Sequence, residues 1–349
     1  MKVITCASYY GSGSSALTDL VGEYDNVKNM SELEIRFMHQ LDGVLDLEYH
    51  LVQNHNRQNS GHALKRFERL MKFYEGNCFS KQYSSFIDRR ELHSITKRYI
   101  EKLTGFEYAG WNFYDLYDKG NLVYYCYQVL NHIINKLGFH SFNILKSEKT
   151  LCSHPSQEEF LSATREFVHN ILSAINDDEL EYVEVDQLVS STNIEKQLRY
   201  FKDDVFVFVV DRDPRDVFLL NKYCWNDHVA PKDVKLFCKW YAYTHEAGTG
   251  SHVIGERVFY INFEDMIYHY DKTVSMIEKY TGLLDELHNR KFSRLNPKRS
   301  VVNTRLWEKY NDLESIEYIE NNLSTYLYDY SNVDYALVPG IASRETNNF

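Results

Sequence analysis

The stretch Val205-Phe206-Val207-Phe208-Val209-Val210 runs apolar without a break, and every residue in it is β-branched or aromatic. A strand made from it has no polar face to turn to water, so it must be covered on both sides, as a central strand of a parallel sheet is. Asp213-Pro214 follows almost at once, with Asp213 suited to cap a helix and Pro214 to open it. A second unit of the same kind opens the chain. Residues 2–8 read as a short buried strand and Tyr9 to Ser15 as a Gly/Ser-rich turn. Leu17, Leu20, Val21 and Tyr24 then recur at the spacing of one helix face.

Further strands are expected at Tyr182–Val185 and Val258–Phe263, and helices at 232–247, 271–282 (ending at Gly282) and 312–330. Strands alternating with helices predict an α/β fold, a doubly wound parallel sheet of the P-loop type, with ligands at the carboxyl ends of the strands. Residues 28–179 differ. Helical periods dominate there, at 62–76, 83–104, 121–137 and 157–175, so this block is expected to be a large helical insertion over the sheet. The expected organisation is a single domain over 1–330, with its core in 1–27 and 180–330, and a C-terminal tail at 331–349.

Composition excludes some functions. Lys and Arg total 39 against 50 Asp and Glu, a formal charge of −11, so the overall field repels nucleic acid and anionic membranes. An anionic ligand would need positive groups gathered locally. The six cysteines form no CxxC pair and none has a histidine at zinc-ligand spacing, so buried free thiols and no metal site are expected. The apolar run Val3–Ala7 is too short for a signal core or a membrane span, which predicts a soluble, cytoplasmic protein. The 28 Tyr and 20 Phe are expected mainly in the core.

Two motifs fall at expected strand ends. In Gly11-Ser12-Gly13-Ser14-Ser15-Ala16 the glycines allow a tight turn, and the following helix points its first amides into the loop, an arrangement that cradles phosphate. The lysine of a nucleotide-triphosphatase loop is missing, because Ser14 follows Gly13. Asp211-Arg212-Asp213-Pro214-Arg215-Asp216-Val217 brings Arg212 to the end of the central strand, where a guanidinium can fork onto phosphate while Arg215 and Asp216 brace the turn.

Together these motifs resemble the PAPS-dependent sulfotransferases, and the bacterial, polysaccharide-associated branch most closely. The family's 5′ loop, [KR]SGT[ST], is similar to Gly11–Ser15, and its 3′-phosphate segment, R-[ND]-P-[KR]-D, is matched by Arg212–Asp216. Asn262–Met266 resembles the family's YEDL strand end, and Asn296–Trp307 resembles its late basic loop and Trp helix. The resemblance covers about 1–27 and 180–330. It implies a sulfuryl transfer from 3′-phosphoadenosine-5′-phosphosulfate (PAPS) to a hydroxyl of a carbohydrate or polysaccharide, without a metal. It also implies cofactor contacts from Gly11 to Ala16, Arg212, Lys298, Arg299 and Ser300.

The chain departs from the pattern at two positions. Gly11 stands where many members carry a cation, for which Arg57, Lys65, Arg66, Lys298 or Arg299 would have to substitute. Leu220 stands where a serine is common, and the adjacent Asn221 is the candidate replacement. The resemblance further implies a base, His or Glu, in the part of the chain that contains His39, Asp46 and Glu48. The polar stretch from His50 to Lys65 suits either a sugar site or a solvated loop. Trp111 and Trp225 are candidate stacking rings, and Trp240-Tyr241 reads as core. A P-loop kinase and a non-catalytic nucleotide-binding descendant remain the alternatives.

Overall fold

In the computed structural model, which describes residues 1–57, 59–76, 87–110, 118–139, 149–225, 229–249 and 257–333, the apolar run lies inside a five-stranded parallel sheet. The strands are β1 (Lys2–Cys6), β2 (Val27–Glu34), β3 (Phe106–Ala109), β4 (Lys149–Cys152), β5 (Tyr182–Asp186), β6 (Asp204–Asp211) and β7 (Val258–Asn262). The chain divides into two units. Met1–Arg36, Asn176–Leu198 and Asp203–Phe349 make up the sheet unit, and Phe37–Ile175 with Arg199–Lys202 the helical unit.

The sheet runs in the order β2-β5-β1-β6-β7, and its four pairings are all parallel. All five residues of β5 are buried, as are Val3 to Cys6 of β1. Successive side chains of a strand point to opposite faces, so both faces of the sheet are covered, as the apolar run requires. After β1 the chain crosses to the edge strand β2, returns to β5 and then passes to β6 on the other side of β1. The carboxyl end of β1 is therefore a topological switch point, where open α/β sheets bind ligands. One covering layer comes from helix Ser14–Val21. Leu17, Leu20, Val21 and Tyr24 are buried there in one cluster with Ile4, Cys6, Phe208 and Val210, as their spacing predicted.

β2 was not expected. Its sequence, VKNMSELE, carries no apolar run, because an edge strand has only one neighbour to satisfy. Asn29 holds it, donating from Nδ2 to the Thr18 carbonyl (2.7 Å) and to Glu184 Oε2 (3.2 Å). The helical unit accordingly begins at Phe37 instead of residue 28. Its helices Asn59–Tyr74, Arg89–Leu103, Asn121–Lys136 and Gln157–Ile175 match the periodic segments, while the short antiparallel pair β3–β4 escaped notice. Aromatic rings build its core, with Tyr99 stacked on Phe167 at 4.3 Å and Phe67 edge-on to Phe167 at 5.7 Å. The helix expected at 312–330 stops at Asn322 and continues as separate 3-10 turns. Of the tail expected at 331–349, residues 334–349 lie outside the described residues, as do Cys78 and Trp111. The five described cysteines are free, and no described helix is long and apolar enough to cross a membrane.

Candidate functional site

The glycine loop grows directly out of β1. Ala7 donates its N–H to the Phe208 carbonyl (2.7 Å), and Ser8 Oγ accepts the N–H of Val210 (2.9 Å), so the chain leaves the sheet only at Tyr9. Gly11 (φ +75°) and Gly13 (φ +87°) then take left-handed conformations that side chains rarely adopt. A Cβ on Gly13 would sit 2.7 Å from the Phe263 ring, and one on Gly11 would meet Trp225 at 3.0 Å and Val217 at 3.2 Å. The Trp225 ring thus lies against the bare backbone of Gly11.

Ser12 is buried, and its hydroxyl closes the turn onto the Tyr9 carbonyl (2.9 Å). The helix starts at Ser14 with no side-chain cap and no acid in its first turn. Ala16 donates its N–H to the Gly13 carbonyl (3.0 Å), while the amides of Ser14 and Ser15 have no intrahelical acceptor and lie at the helix's positive end. Ser15 is exposed and Ala16 buried, while Ser14 Oγ is 3.5 Å from Asp186 Oδ2.

Asp186 is not among the candidates named from the sequence. It is the last residue of β5 and is buried, with Oδ1 lacking any hydrogen-bond partner. Burial, with the Glu34 charge as a smaller cause, pushes its carboxyl up to about 7. The detectable signal was an acid closing a strand that is otherwise wholly buried. A second missed group is His245, which stacks on Tyr9 at 3.8 Å. Its Nε2 is 3.1 Å from Asp211 Oδ1 and its Nδ1 2.8 Å from the Tyr241 carbonyl.

At the end of β6, Arg212 is 4% exposed with its guanidinium carbon 4.3 Å from the Phe263 ring centre. One terminal nitrogen donates to the Asn303 carbonyl, and Nε is buried without a partner. The neighbouring residues serve the scaffold. Asp213 caps helix Pro214–Tyr223 and receives Arg215 at Nε (3.0 Å) and Nη2 (2.7 Å). Arg215 also pairs with Glu320 and lies over the Trp307 ring at 3.8 Å. Asp216 accepts the N–H groups of Arg305 (3.0 Å) and Leu306 (2.8 Å), and burial pushes it up to about 7 against the opposing pull of Arg212. Glu264 accepts the Asp213 N–H (3.0 Å), and burial holds its carboxyl well above the usual range. Arg212 and Arg215 are thus the positive charges among three buried acids, and Arg215 is already paired with Asp213.

Asn221 is fully buried and pins the turn at 229–230. It donates to the Ala230 carbonyl (2.9 Å) and accepts from Val229 (3.1 Å) and Ala230 (2.9 Å), so its amide is committed to the scaffold where a phosphate contact was expected. Lys298 and Arg299 stand exposed on the short helix Pro297–Ser300, capped by Asn296, with Ser300 half-buried. Helix Phe263–Tyr268 packs against both this helix and Ser14–Val21, and its Phe263 touches both the glycine loop and Arg212.

The remaining candidates belong to the helical unit. Glu48 is fully buried and receives Tyr200 Oη, Gln157 Nε2 (2.6 Å) and Arg199 Nη2 (3.2 Å). Asp46 accepts the Asp42 N–H (2.7 Å) and lines a cleft of about 450 Å³ with Tyr49, His50, His62 and Arg66. His39 is half-buried. Arg66 pairs with Asp42 (2.7 Å), Arg57 is exposed, and Lys65 faces an open groove of about 940 Å³.

No protein-family profile matches the chain, and no curated protein matches it. Among solved structures, one similar to it is retinol dehydratase in complex with androsterone and inactive cofactor PAP. The two are 12% identical, the alignment covers 95% of this chain and 81% of that one, and the TM-score is 0.37. A likeness of that grade assigns no chemistry.

Proposed function

We propose that the chain is a soluble, cytoplasmic sulfotransferase that uses PAPS and a hydroxyl acceptor of the carbohydrate class. One observation carries this reading: a glycine loop at the switch point of the sheet and an Arg212 whose buried Nε is unspent both touch Phe263. A ligand with two separated anionic groups fits that pair. The loop amides at Ser14 and Ser15 would hold the 5′ end, Arg212 the 3′-phosphate, and the exposed Lys298 and Arg299 the surrounding charge.

The donor supplies an activated sulfuryl group. The acceptor oxygen forms the new bond to sulfur, the bond from sulfur to the bridging phosphate oxygen breaks, and adenosine 3′,5′-bisphosphate leaves. With Gly11 in place of a cation, the helix amides carry more of the charge developing on that oxygen. The acceptor's proton goes to a base, the role the resemblance implies for His39, Asp46 or Glu48.

A second reading, a magnesium-dependent phosphotransferase, gains support from Asp186 beside Ser14, since a carboxylate and a hydroxyl at the end of a phosphate loop suit a hydrated divalent cation. Calorimetric titration with adenosine 3′,5′-bisphosphate, and in parallel with ATP plus Mg²⁺, decides between them. Micromolar binding of the bisphosphate, weakened in Lys298→Ala/Arg299→Ala at unchanged melting temperature, is the expected result. Binding of ATP alone, and only with Mg²⁺, would overturn it.

A further inference from the structure

The sheet unit contains a second group of polar side chains, at the end of helix Tyr270–Thr281. Gly282 (φ +80°) stops that helix and returns its N–H to the Glu278 carbonyl (2.7 Å). The chain then reverses through one 3-10 turn, Asp285–Leu287, which brings Asp285 and His288 back beside Glu278. One ligand atom from each of these three residues lies within 4.8 Å of the others.

His288 is 7% exposed, and its two nitrogens have different surroundings. Nε2 is 2.9 Å from Oε2 of the fully buried Glu23, whose oxygens also accept the N–H groups of Phe292 (3.1 Å), Arg294 (2.8 Å) and Leu295 (3.0 Å). Nδ1 is buried without any hydrogen-bond partner. A carboxylate on one nitrogen places the proton there and leaves a lone pair on the other, the arrangement that orients histidines toward metal ions. Glu278 is also held, because Tyr24 Oη donates to its Oε1 (2.9 Å) while the Tyr24 ring stacks on His288 at 4.3 Å. Asp285 is exposed and Glu278 half-exposed, so an ion has a route in from solvent.

We propose that Glu278, Asp285 and Nδ1 of His288 bind one divalent transition-metal ion of the zinc class, with water completing its coordination. One imidazole and two carboxylates without a thiolate suit Zn²⁺, and ligand bonds of about 2.0–2.2 Å place ligand atoms about 3.4 Å apart, so side-chain rotation must bring the three groups closer. The ion would clasp the end of helix Tyr270–Thr281 to the loop that Glu23 holds, which leads into the basic helix Pro297–Ser300. The inference is independent of the chemistry at the glycine loop.

The test titrates chelator-stripped full-length protein with ZnCl2 in a calorimeter, with MgCl2 as a parallel arm, and with Co²⁺ as a spectroscopic probe. Expected are one Zn²⁺ per chain, a raised melting temperature, and a Co²⁺ spectrum of nitrogen and oxygen ligands. Asp285→Asn, on an exposed side chain, should lower the affinity by about tenfold or more at unchanged metal-free melting temperature. Glu278→Gln should act likewise. The proposal fails if no zinc binds, if Asp285→Asn binds it undiminished, or if a thiolate charge-transfer band puts the Co²⁺ on cysteine. It also fails if ¹⁵N spectra show His288 Nδ1 protonated and unmoved by zinc.

Discussion

Replacing Gly13 with alanine tests the packing that defines the glycine loop. The perturbation has two parts. At φ +87° a residue with a Cβ is strained by about 1–2 kcal/mol. The new methyl would also lie 2.7 Å from Cδ2 of Phe263. That ring is buried between the loop and the Arg212 guanidinium and cannot swing aside freely, so overpacking adds about 1–3 kcal/mol. The sum is about 2–5 kcal/mol. Phe263→Leu in the same chain should relieve the second part and leave the first, which a double-mutant cycle separates. Urea unfolding followed by tryptophan fluorescence is suited to the measurement, since Trp225, Trp240 and Trp307 all lie in the sheet unit. A cost under about 1 kcal/mol for Gly13→Ala, or no recovery with Phe263→Leu, would refute the argument that Phe263 fixes the loop.

Asp186 makes stability depend on pH. Its folded carboxyl titrates at about 7, above the ~3.9 of an unfolded aspartate, so the folded state holds a proton that the unfolded state releases. Stability should therefore fall as pH rises from about 4 to about 7, by on the order of a few kcal/mol. Asp186→Asn should flatten that part of the profile, and an unchanged slope in urea melts across the range would count against it. Asp216, also raised to about 7, should leave a residual slope of the same sign. Glu48→Gln should destabilise the helical unit by about 1–3 kcal/mol, because Arg199 and Tyr200 lose a charged acceptor. Loss of turnover at unchanged thermal stability would instead make Glu48 the base. Asn221→Ala should cost about 1–3 kcal/mol by freeing the 229–230 turn, read as a lowered melting temperature.

Much of the sheet could be read from the chain because a doubly covered strand has no choice of residue. Val205–Val210, the buried stripe of Leu17, Leu20, Val21 and Tyr24, and Gly282 as a helix stop each declared themselves through local periodicity or backbone need. β2 did not, since an edge strand is defined by its single neighbour and by Asn29 reaching across to Thr18 and Glu184. The glycine loop was legible as a motif, but the burial of Ser12, the Trp225 ring against Gly11 and the Phe263 ring against Gly13 were not. In the motif after β6, residue type and position already set Arg212 apart as the phosphate ligand, with Arg215 and Asp216 as braces of the turn. Folding committed Asp213, Arg215 and Asp216 to caps and pairs and left only Arg212 with an unspent donor.

By itself the sequence determined the α/β class, the parallel sheet and the turns that leave two of its strands, because apolar periodicity and glycine placement act over a few neighbouring residues. Only the tertiary structure decided which polar groups are satisfied and which are left over. Arg212 Nε, Asp186 Oδ1 and His288 Nδ1 are all buried without a partner, yet each belongs to a residue type that is ordinary on a surface. Whether such an atom is paired depends on contacts between residues far apart in the chain, and no local pattern records those contacts.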